Sequence, residues 1–145
     1  MRELGSLQLE CDASGGPVLY QPHLKSKLYS THRPHKWGTG PFCHIVGPVL
    51  PEQPGVYLLR VDGECVYVGR CNNLRERFGP RGYGLISPRN CYLGGQPTNC
   101  RINHRILQAY MTGRDVVLHF EALANPRSRE KELIQWHRPP WNLTG

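Results

Sequence analysis

The clearest pattern of apolar positions begins near residue 54. The runs GVYLLRV (55–61) and ECVYV (64–68) are rich in β-branched and aromatic residues, as strands are. The Asp62-Gly63 pair between them is typical of a hairpin turn. A third β-rich run, DVVLHFEAL, covers 115–123. The pattern predicts a small antiparallel sheet of about three strands.

Three segments carry helical patterns. The first, NNLRERF (72–78), begins with Asn72 as a candidate N-cap. The second, 99–113, has an apolar stripe, a candidate cap at Thr98 and a glycine at its end. The third, 125–137, opens with Asn-Pro and stops before two prolines. The order β-β-α-α-β-α predicts an α+β fold with a small antiparallel sheet flanked by helices.

Two segments show little periodicity. We interpret residues 1–53 as an extended N-terminal arm that packs on a core domain spanning 54–145. Within that domain, 79–97 is rich in glycine and proline and reads as an insertion. Loops of this length are usually either functional or disordered.

Composition and net charge indicate which class of partner the protein binds. The chain has 145 residues, a net charge of +7 and a pI of about 9.3. A basic excess on a small domain favours a polyanion, most often nucleic acid, although ordinary solubility charge is the alternative. No run approaches the roughly 18 apolar residues of a membrane helix. The start of the chain lacks an apolar signal region, so we expect a cytoplasmic protein with no membrane partner.

The six cysteines are expected to be reduced, because reduced thiols are the rule in the cytoplasm. A structural zinc site using Cys91, Cys100 and a histidine is a weaker alternative, since the chain has no CxxC pair.

Four features occur in one order. GVY at 55–57 is followed by YVG at 67–69, Arg77 lies ten residues past Tyr67, and EKELIQWHRPPWN closes the pattern at 130–142. Together these features resemble the GIY-YIG nuclease superfamily. The resemblance places the following residues on motif positions: Tyr57, Tyr67, Gly69, Arg77, Glu130 as the metal-binding glutamate, and Asn142 as the terminal asparagine. Arg70 stands where the related domain of the bacterial excision-repair nuclease has a lysine.

The resemblance implies hydrolysis of phosphodiester bonds with one Mg²⁺ or Mn²⁺ per site. Glu130 would hold the metal, which keeps most of its waters and binds a phosphate oxygen. Arg77 would contact the scissile phosphate, and Arg70 would assist it or grip a neighbouring phosphate. In the family's proposed mechanism Tyr57 acts as the general base, and Tyr67 positions it or the phosphate.

Other residues complete the expected site. Many family members carry a histidine one turn after the motif arginine, where this chain has Arg81. The stand-ins are His104, treated as a catalytic candidate, Arg81 itself, or no side chain. The expected substrate contacts are Gly69, Arg81, Lys36, Arg101 and Asn142.

Simpler interpretations accompany these roles. The tyrosines could be ordinary sheet aromatics, His104 a helix histidine, and Asn142 a structural residue near the last turn. Glu132 could compete with Glu130 for the metal. Because the two glutamates lie about 200° apart on a helix, only one of them should face the site.

The hairpin register decides whether the tyrosines share a face. A two-residue loop at Asp62-Gly63 would pair Tyr57 with Val68 and place the tyrosines on opposite faces. A three-residue loop beginning at Val61 would pair Tyr57 with Tyr67 on one face. The two tyrosines can act in one site only if they lie on the same face, so we predict the three-residue loop.

The leading function is restriction-type cleavage of duplex DNA by a stand-alone endonuclease, and a homodimer would let it cut both strands. A structure-specific or repair nuclease is the alternative within the same enzyme class. A catalytically silent nucleic-acid-binding module is the alternative from another class.

Overall fold

The computed structural model describes residues 1–142 of the chain. The eight strands are β1 Arg2–Ser6, β2 Gln8–Leu9, β3 Leu19–Tyr20, β4 Phe42–Cys43, β5 Ile45–Gly47, β6 Gly55–Val61, β7 Glu64–Cys71 and β8 Val116–Ala122. The three α-helices are α1 Leu74–Arg77, α2 Pro97–Met111 and α3 Arg127–His137, with short 3₁₀ turns at Pro22–Lys25, Pro88–Cys91 and Pro140–Asn142.

These elements fall into two compact units. The sheet unit comprises Met1–Leu7, Gly47–Glu76 and the chain from Ala109 onward, and the basic unit comprises Gln8–Val46 and Arg77–Gln108. The basic unit contains nine Lys and Arg residues against two Asp and Glu, so its formal charge is +7. The sheet unit contains nine of each and is neutral. The whole basic excess of the chain therefore belongs to one unit.

The sheet unit is built on a four-stranded antiparallel sheet in the order β1-β8-β6-β7. This confirms the predicted α+β class. The fourth strand, β1, comes from the segment interpreted as an arm, and its Arg2 pairs with Phe120 of β8. Its short sequence RELGS has no strong strand pattern, so its place depends on the partner strand and not on local preference.

The hairpin between β6 and β7 corrects the predicted register. Asp62 and Gly63 both have positive φ, 53° and 80°, and form a two-residue loop that pairs Val61 with Glu64. The predicted three-residue loop is therefore wrong. A β-bulge at Val66 then shifts the ladder by one residue, so that Leu59 pairs with Tyr67 and Tyr57 with Gly69.

One face of the sheet packs against α3. Val56, Leu58 and Val68 form a buried cluster with Leu133 of that helix. Side chains alternate between faces along a strand, so Tyr57 and Gly69 lie on the opposite face from this cluster.

All three helix starts differ from the predictions, since α3 begins at Arg127 with Pro126, not Asn125, as its N-cap. α1 is only four residues long, and the side chain of Asn73, not Asn72, accepts the hydrogen bond from the Glu76 N–H at 3.1 Å. α2 begins at Pro97, so Thr98 lies inside the helix and does not cap it. A proline is well suited to the first helical position because its missing N–H needs no partner there.

In the basic unit, the 79–97 segment is packed and not loose. Ile86, Cys91 and Tyr92 form a buried cluster with Phe42 and Cys100. Alongside it, the fully buried Asn103 of α2 accepts a hydrogen bond from the Cys43 N–H at 2.9 Å and donates to the Cys43 and Tyr83 carbonyls at 2.8 and 2.7 Å. A buried amide with three such bonds ties the arm, the insertion and the helix together.

Within residues 1–142 no helix is long and apolar enough to cross a membrane. No disulfide joins the six cysteines, all of which lie in this range. Over the same residues, no group of three His, Cys, Asp or Glu side chains is placed to share a metal ion. The Cys91 and Cys100 pair therefore lacks the further ligands that a structural zinc site needs.

Candidate active site

Tyr57 and Tyr67 lie on the same face of the β6–β7 hairpin. Their ring centroids are 6.2 Å apart and the rings are tilted by 43°. The bulge at Val66 is the cause. A plain two-residue loop would place the two tyrosines on opposite faces, and the extra residue at the bulge shifts the pairing by one position and returns them to the same face. The expectation of a shared face is confirmed, although the predicted loop is not. Both rings are buried, with exposures of 1% and 7%.

Gly69 faces Tyr57 directly across the ladder. A Cβ atom at Gly69 would collide with the hydroxyl oxygen and ring carbons of Tyr57. The absence of a side chain at 69 therefore allows the Tyr57 ring to lie across the strand. The contact of Gly69 with a substrate phosphate stays a prediction.

Arg70 extends from the other face of β7, the face that α3 covers. Its Nε lies 3.8 Å from Oε1 of Glu130, and the two side chains are 40% and 23% exposed. Glu130 lies in the first turn of α3, where the helix dipole favours a carboxylate. The structure thus brings Arg70 together with Glu130, the glutamate on the motif position.

Glu132 is directed elsewhere. Its carboxylate accepts a hydrogen bond from Arg129 Nη1 at 2.6 Å, and Arg129 Nε also donates to Glu121 at 2.9 Å. Glu132 is 68% exposed. Of the two glutamates on α3, Glu130 is the one that reaches β7. The helical spacing predicts that only one of them faces the site, and the motif position favours Glu130.

Asn142 closes the outer edge of β7. Its Oδ1 accepts from the Val68 N–H, and its Nδ2 donates to the Val68 carbonyl, both at 2.8 Å. β7 is the last strand of the sheet, so one amide side chain takes the place of a missing neighbouring strand at this residue. This geometry holds the C-terminal turn against the strand that carries Tyr67, Gly69 and Arg70.

The carboxylate of Glu130 fits the demands of a magnesium ion but not those of an all-protein metal cage. Mg²⁺ is usually held by one or two carboxylates, with waters and substrate phosphates filling the remaining positions. Glu130 is partly exposed and has no second acidic side chain beside it among the described residues that would complete a three-ligand group. An ion here would depend on the substrate for part of its coordination.

Arg77 is the last residue of α1 and belongs to the basic unit. Its guanidinium carbon lies 5.9 Å from the centre of the Tyr83 ring, and its carbonyl accepts from the Tyr83 N–H at 2.8 Å. Tyr83 is buried and packs edge-on against Phe78 at 5.1 Å. Sequence reasoning missed Tyr83, and its only signal was an aromatic residue within a glycine-rich segment.

The remaining predicted residues also belong to the basic unit. Arg81 is exposed, and Arg101 is buried on α2. His104 Nδ1 lies 2.8 Å from the Pro41 carbonyl. Since a carbonyl only accepts, that ring nitrogen carries the proton. Lys36 and His104 both border the Trp37 ring.

Comparison with known proteins agrees with this geometry. No family model matches the chain. The UvrABC system protein C of Deinococcus radiodurans is 57% identical over 96 residues, which cover 66% of this chain and 13% of that protein. The protein of the same name from Geobacter metallireducens is 35% identical over 98 residues, covering 65% of this chain and 13% of its own length. The chain therefore spans about an eighth of the length of these curated relatives.

A solved structure of a bacteriophage T4 EndoII mutant is similar in fold. The likeness covers 97% of this chain and 92% of that one, with a TM-score of 0.55 and 17% sequence identity. The ordered motif in the sequence, the tyrosine pair on one face of the hairpin and these similarities all agree. Together they support the resemblance of the chain to the GIY-YIG superfamily.

Proposed function

We propose that this chain is an endonuclease that hydrolyses phosphodiester bonds of DNA, with a divalent metal held by Glu130. The observation that carries the proposal is the Arg70–Glu130 pair at 3.8 Å, which lies on the edge strand that also bears Tyr67 and Gly69. An edge strand lets groups from both faces of a sheet approach one substrate.

The chain supplies the charge that a phosphodiester requires. Arg70 is 40% exposed, so its guanidinium is available to a phosphate oxygen as well as to Glu130. Arginine suits this task because its planar donors match the oxygens of a phosphate. Arg77, positioned on Tyr83, would stabilise the charge that grows on the scissile phosphate. A metal bound at Glu130 would supply Lewis-acid polarisation of a phosphate oxygen.

The tyrosine pair would activate the attacking water. Tyr57 accepts the proton in the role implied by the motif, and Tyr67 fixes its ring from 6.2 Å away. An ordinary phenol has a pKa near 10, so nearby cations are needed for it to work as a base at neutral pH. Burial of both rings would hold the hydroxyl groups in a defined orientation.

The charge distribution supports a nucleic acid as the substrate class. All of the +7 excess lies in the basic unit, and the sheet unit is neutral. A basic surface of this kind supplies backbone contacts that do not depend on sequence. We take restriction-type cleavage of duplex DNA as the leading role, with a homodimer placing two sites on one duplex. The 57% identity to a UvrABC system protein C favours a structure-specific or repair nuclease as the second candidate.

Cleavage assays would test the proposal with supercoiled plasmid, long linear DNA and branched or damaged duplexes, each with and without Mg²⁺. Glu130→Ala should abolish cleavage while leaving DNA binding intact. Glu132→Ala is the matched control, because it removes a carboxylate from the same helix that pairs with Arg129 and not with β7.

Each pattern of products has a distinct meaning. Discrete bands from intact duplexes would support the restriction-type role, and cuts confined to branched or damaged DNA would support repair. Binding without cleavage of any substrate by the wild-type protein would indicate a silent binding module and overturn the proposal.

A further inference from the structure

A cluster of cations surrounds Trp37 in the basic unit. Lys36 Nζ lies 5.6 Å from the centre of the indole ring, and the guanidinium carbon of Arg105 lies 5.4 Å from it. The His104 ring is 6.3 Å away. Cation–π contacts of this kind hold long, flexible side chains in place. Trp37 itself packs against the buried cluster of the unit, and this contact holds its indole ring in place.

Arg105 is a half-buried residue of α2, and within the described part of the chain one of its nitrogens is buried without a partner. Its Nε atom is buried and, over residues 1–142, has no hydrogen-bond partner. No salt bridge of the described residues includes it. Burial and the neighbouring guanidinium of Arg101, one helical turn away, both lower the pKa of Arg105. A buried guanidinium nitrogen normally has a hydrogen-bond partner.

No carboxylate of the basic unit is placed to neutralise this charge. The unit contains only two acidic residues, Glu10 and Asp12. Glu10 lies 3.6 Å from His44, and Asp12 accepts hydrogen bonds from Ser14 in its own turn. Neither carboxylate pairs with Arg105, so an anionic ligand would be its counter-charge.

We propose that Arg105 and Lys36, both held on Trp37, bind one backbone phosphate of the nucleic acid substrate. This inference rests on the proposed function for the identity of the substrate. A phosphate matches the site because it accepts charge-assisted hydrogen bonds from both a guanidinium and an ammonium group. It would also offset the repulsion between Arg105 and Arg101.

Binding measured in a Glu130→Ala background separates this inference from cleavage. The affinity for a synthetic duplex would be followed across a salt series for that protein and for the same protein with Arg105→Gln or Lys36→Gln. Loss of one phosphate contact should make the slope of the logarithm of the association constant against the logarithm of the salt concentration shallower by about 0.9. Arg89→Gln is the matched control, since Arg89 is an exposed arginine of the same unit. The same change in slope for Arg89→Gln as for Arg105→Gln would overturn the proposal.

The unfolding midpoint provides a second measurement, because replacement of an arginine that supports the fold would lower it. Arg105→Gln should leave the unfolding midpoint unchanged or raise it, because it removes a desolvated charge beside Arg101. A lower midpoint would mean that Arg105 also serves the fold, and an unchanged salt slope for Lys36→Gln would then overturn the proposal. Lys36→Gln keeps the test valid even then, because Lys36 is exposed.

Inorganic phosphate distinguishes a nucleic acid backbone from a free anion. Phosphate should compete weakly with DNA, and this competition should be lost in Arg105→Gln. Strong stabilisation by phosphate alone, with an unchanged salt slope for DNA in Arg105→Gln, would show a small-anion site and overturn the assignment to a backbone phosphate.

Discussion

Tyr57 and Gly69 face each other across the β6–β7 ladder, and the tyrosine occupies the space that a side chain at 69 would need. Two motif positions that are twelve residues apart in the sequence therefore form one packing arrangement. The glycine sets where the Tyr57 hydroxyl lies, and any change at 69 should act through that hydroxyl.

Gly69→Ala should destabilise the protein by about 1–3 kcal/mol, because it overpacks a buried contact. It should also lower cleavage by moving Tyr57. Denaturant unfolding and a cleavage assay would measure both effects. Gly16→Ala, where an added Cβ meets nothing closer than 3.7 Å, is the control. Truncation of the tyrosine, Tyr57→Leu, should recover stability in the Gly69→Ala protein but not activity. No recovery would argue that the two residues do not share this contact.

Tyr57→Phe should reduce the rate of cleavage by roughly 10²–10⁴-fold, the usual contribution of a general base, with DNA affinity unchanged. Tyr67→Phe should have a smaller effect if Tyr67 only positions its neighbour. Single-turnover cleavage with saturating enzyme separates the chemical step from binding. Near wild-type cleavage by Tyr57→Phe would rule out the tyrosine as the base.

Arg70→Lys should retain most of the cleavage activity, since a positive charge remains beside Glu130, whereas Arg70→Gln should lose it. Neither change should alter stability by more than about 1 kcal/mol, because the pair is partly exposed. Removing the positive charge should also lower the Mg²⁺ concentration needed for half-maximal metal binding at Glu130. A higher requirement for Mg²⁺ in Arg70→Gln would contradict the assigned geometry. Arg114→Gln, which breaks an exposed pair with Asp62 in the same unit, is the matched control.

Asn142→Asp should destabilise the protein even though the two side chains have the same shape. The carboxylate could still accept from the Val68 N–H but would face the Val68 carbonyl. Leaving that acceptor without its donor costs about 1–3 kcal/mol. Hydrogen exchange at the Val68 amide would report local opening of the edge. Unchanged protection and stability would place Asn142 in substrate contact and not in support of the strand.

The stability of the sheet unit should fall as the pH drops below about 6.5. Burial, followed by the Arg60 guanidinium, lowers the pKa of His119 in the folded state. The unfolded chain therefore binds a proton more readily than the folded chain. The free energy of unfolding falls with decreasing pH until the pH lies below the pKa of His119 in the folded state. His119→Gln should flatten this dependence in unfolding experiments at several pH values. His32→Gln, at an exposed position, should leave it unchanged.

Much of the fold follows from local rules. The β-rich runs, the Asp62-Gly63 turn and the prolines near the helix ends identify the elements of the sheet unit, because each depends on neighbouring residues. The spacing of Glu130 and Glu132 on one helix likewise predicts that only one of them faces the site, and the motif position indicates Glu130. These features need no knowledge of the distant chain.

Tertiary structure decided the rest through contacts between residues far apart in sequence. The bulge at Val66 sets the tyrosine register, β1 joins the sheet through β8, and Asn142 binds Val68 across 74 positions. The concentration of charge in one unit likewise arises from how residues 8–46 and 77–108 come together. Such contacts depend on long-range hydrogen bonding and packing, which local propensity does not encode. The sequence by itself indicated which residues are candidates for the chemistry, and the fold decided which of them lie together.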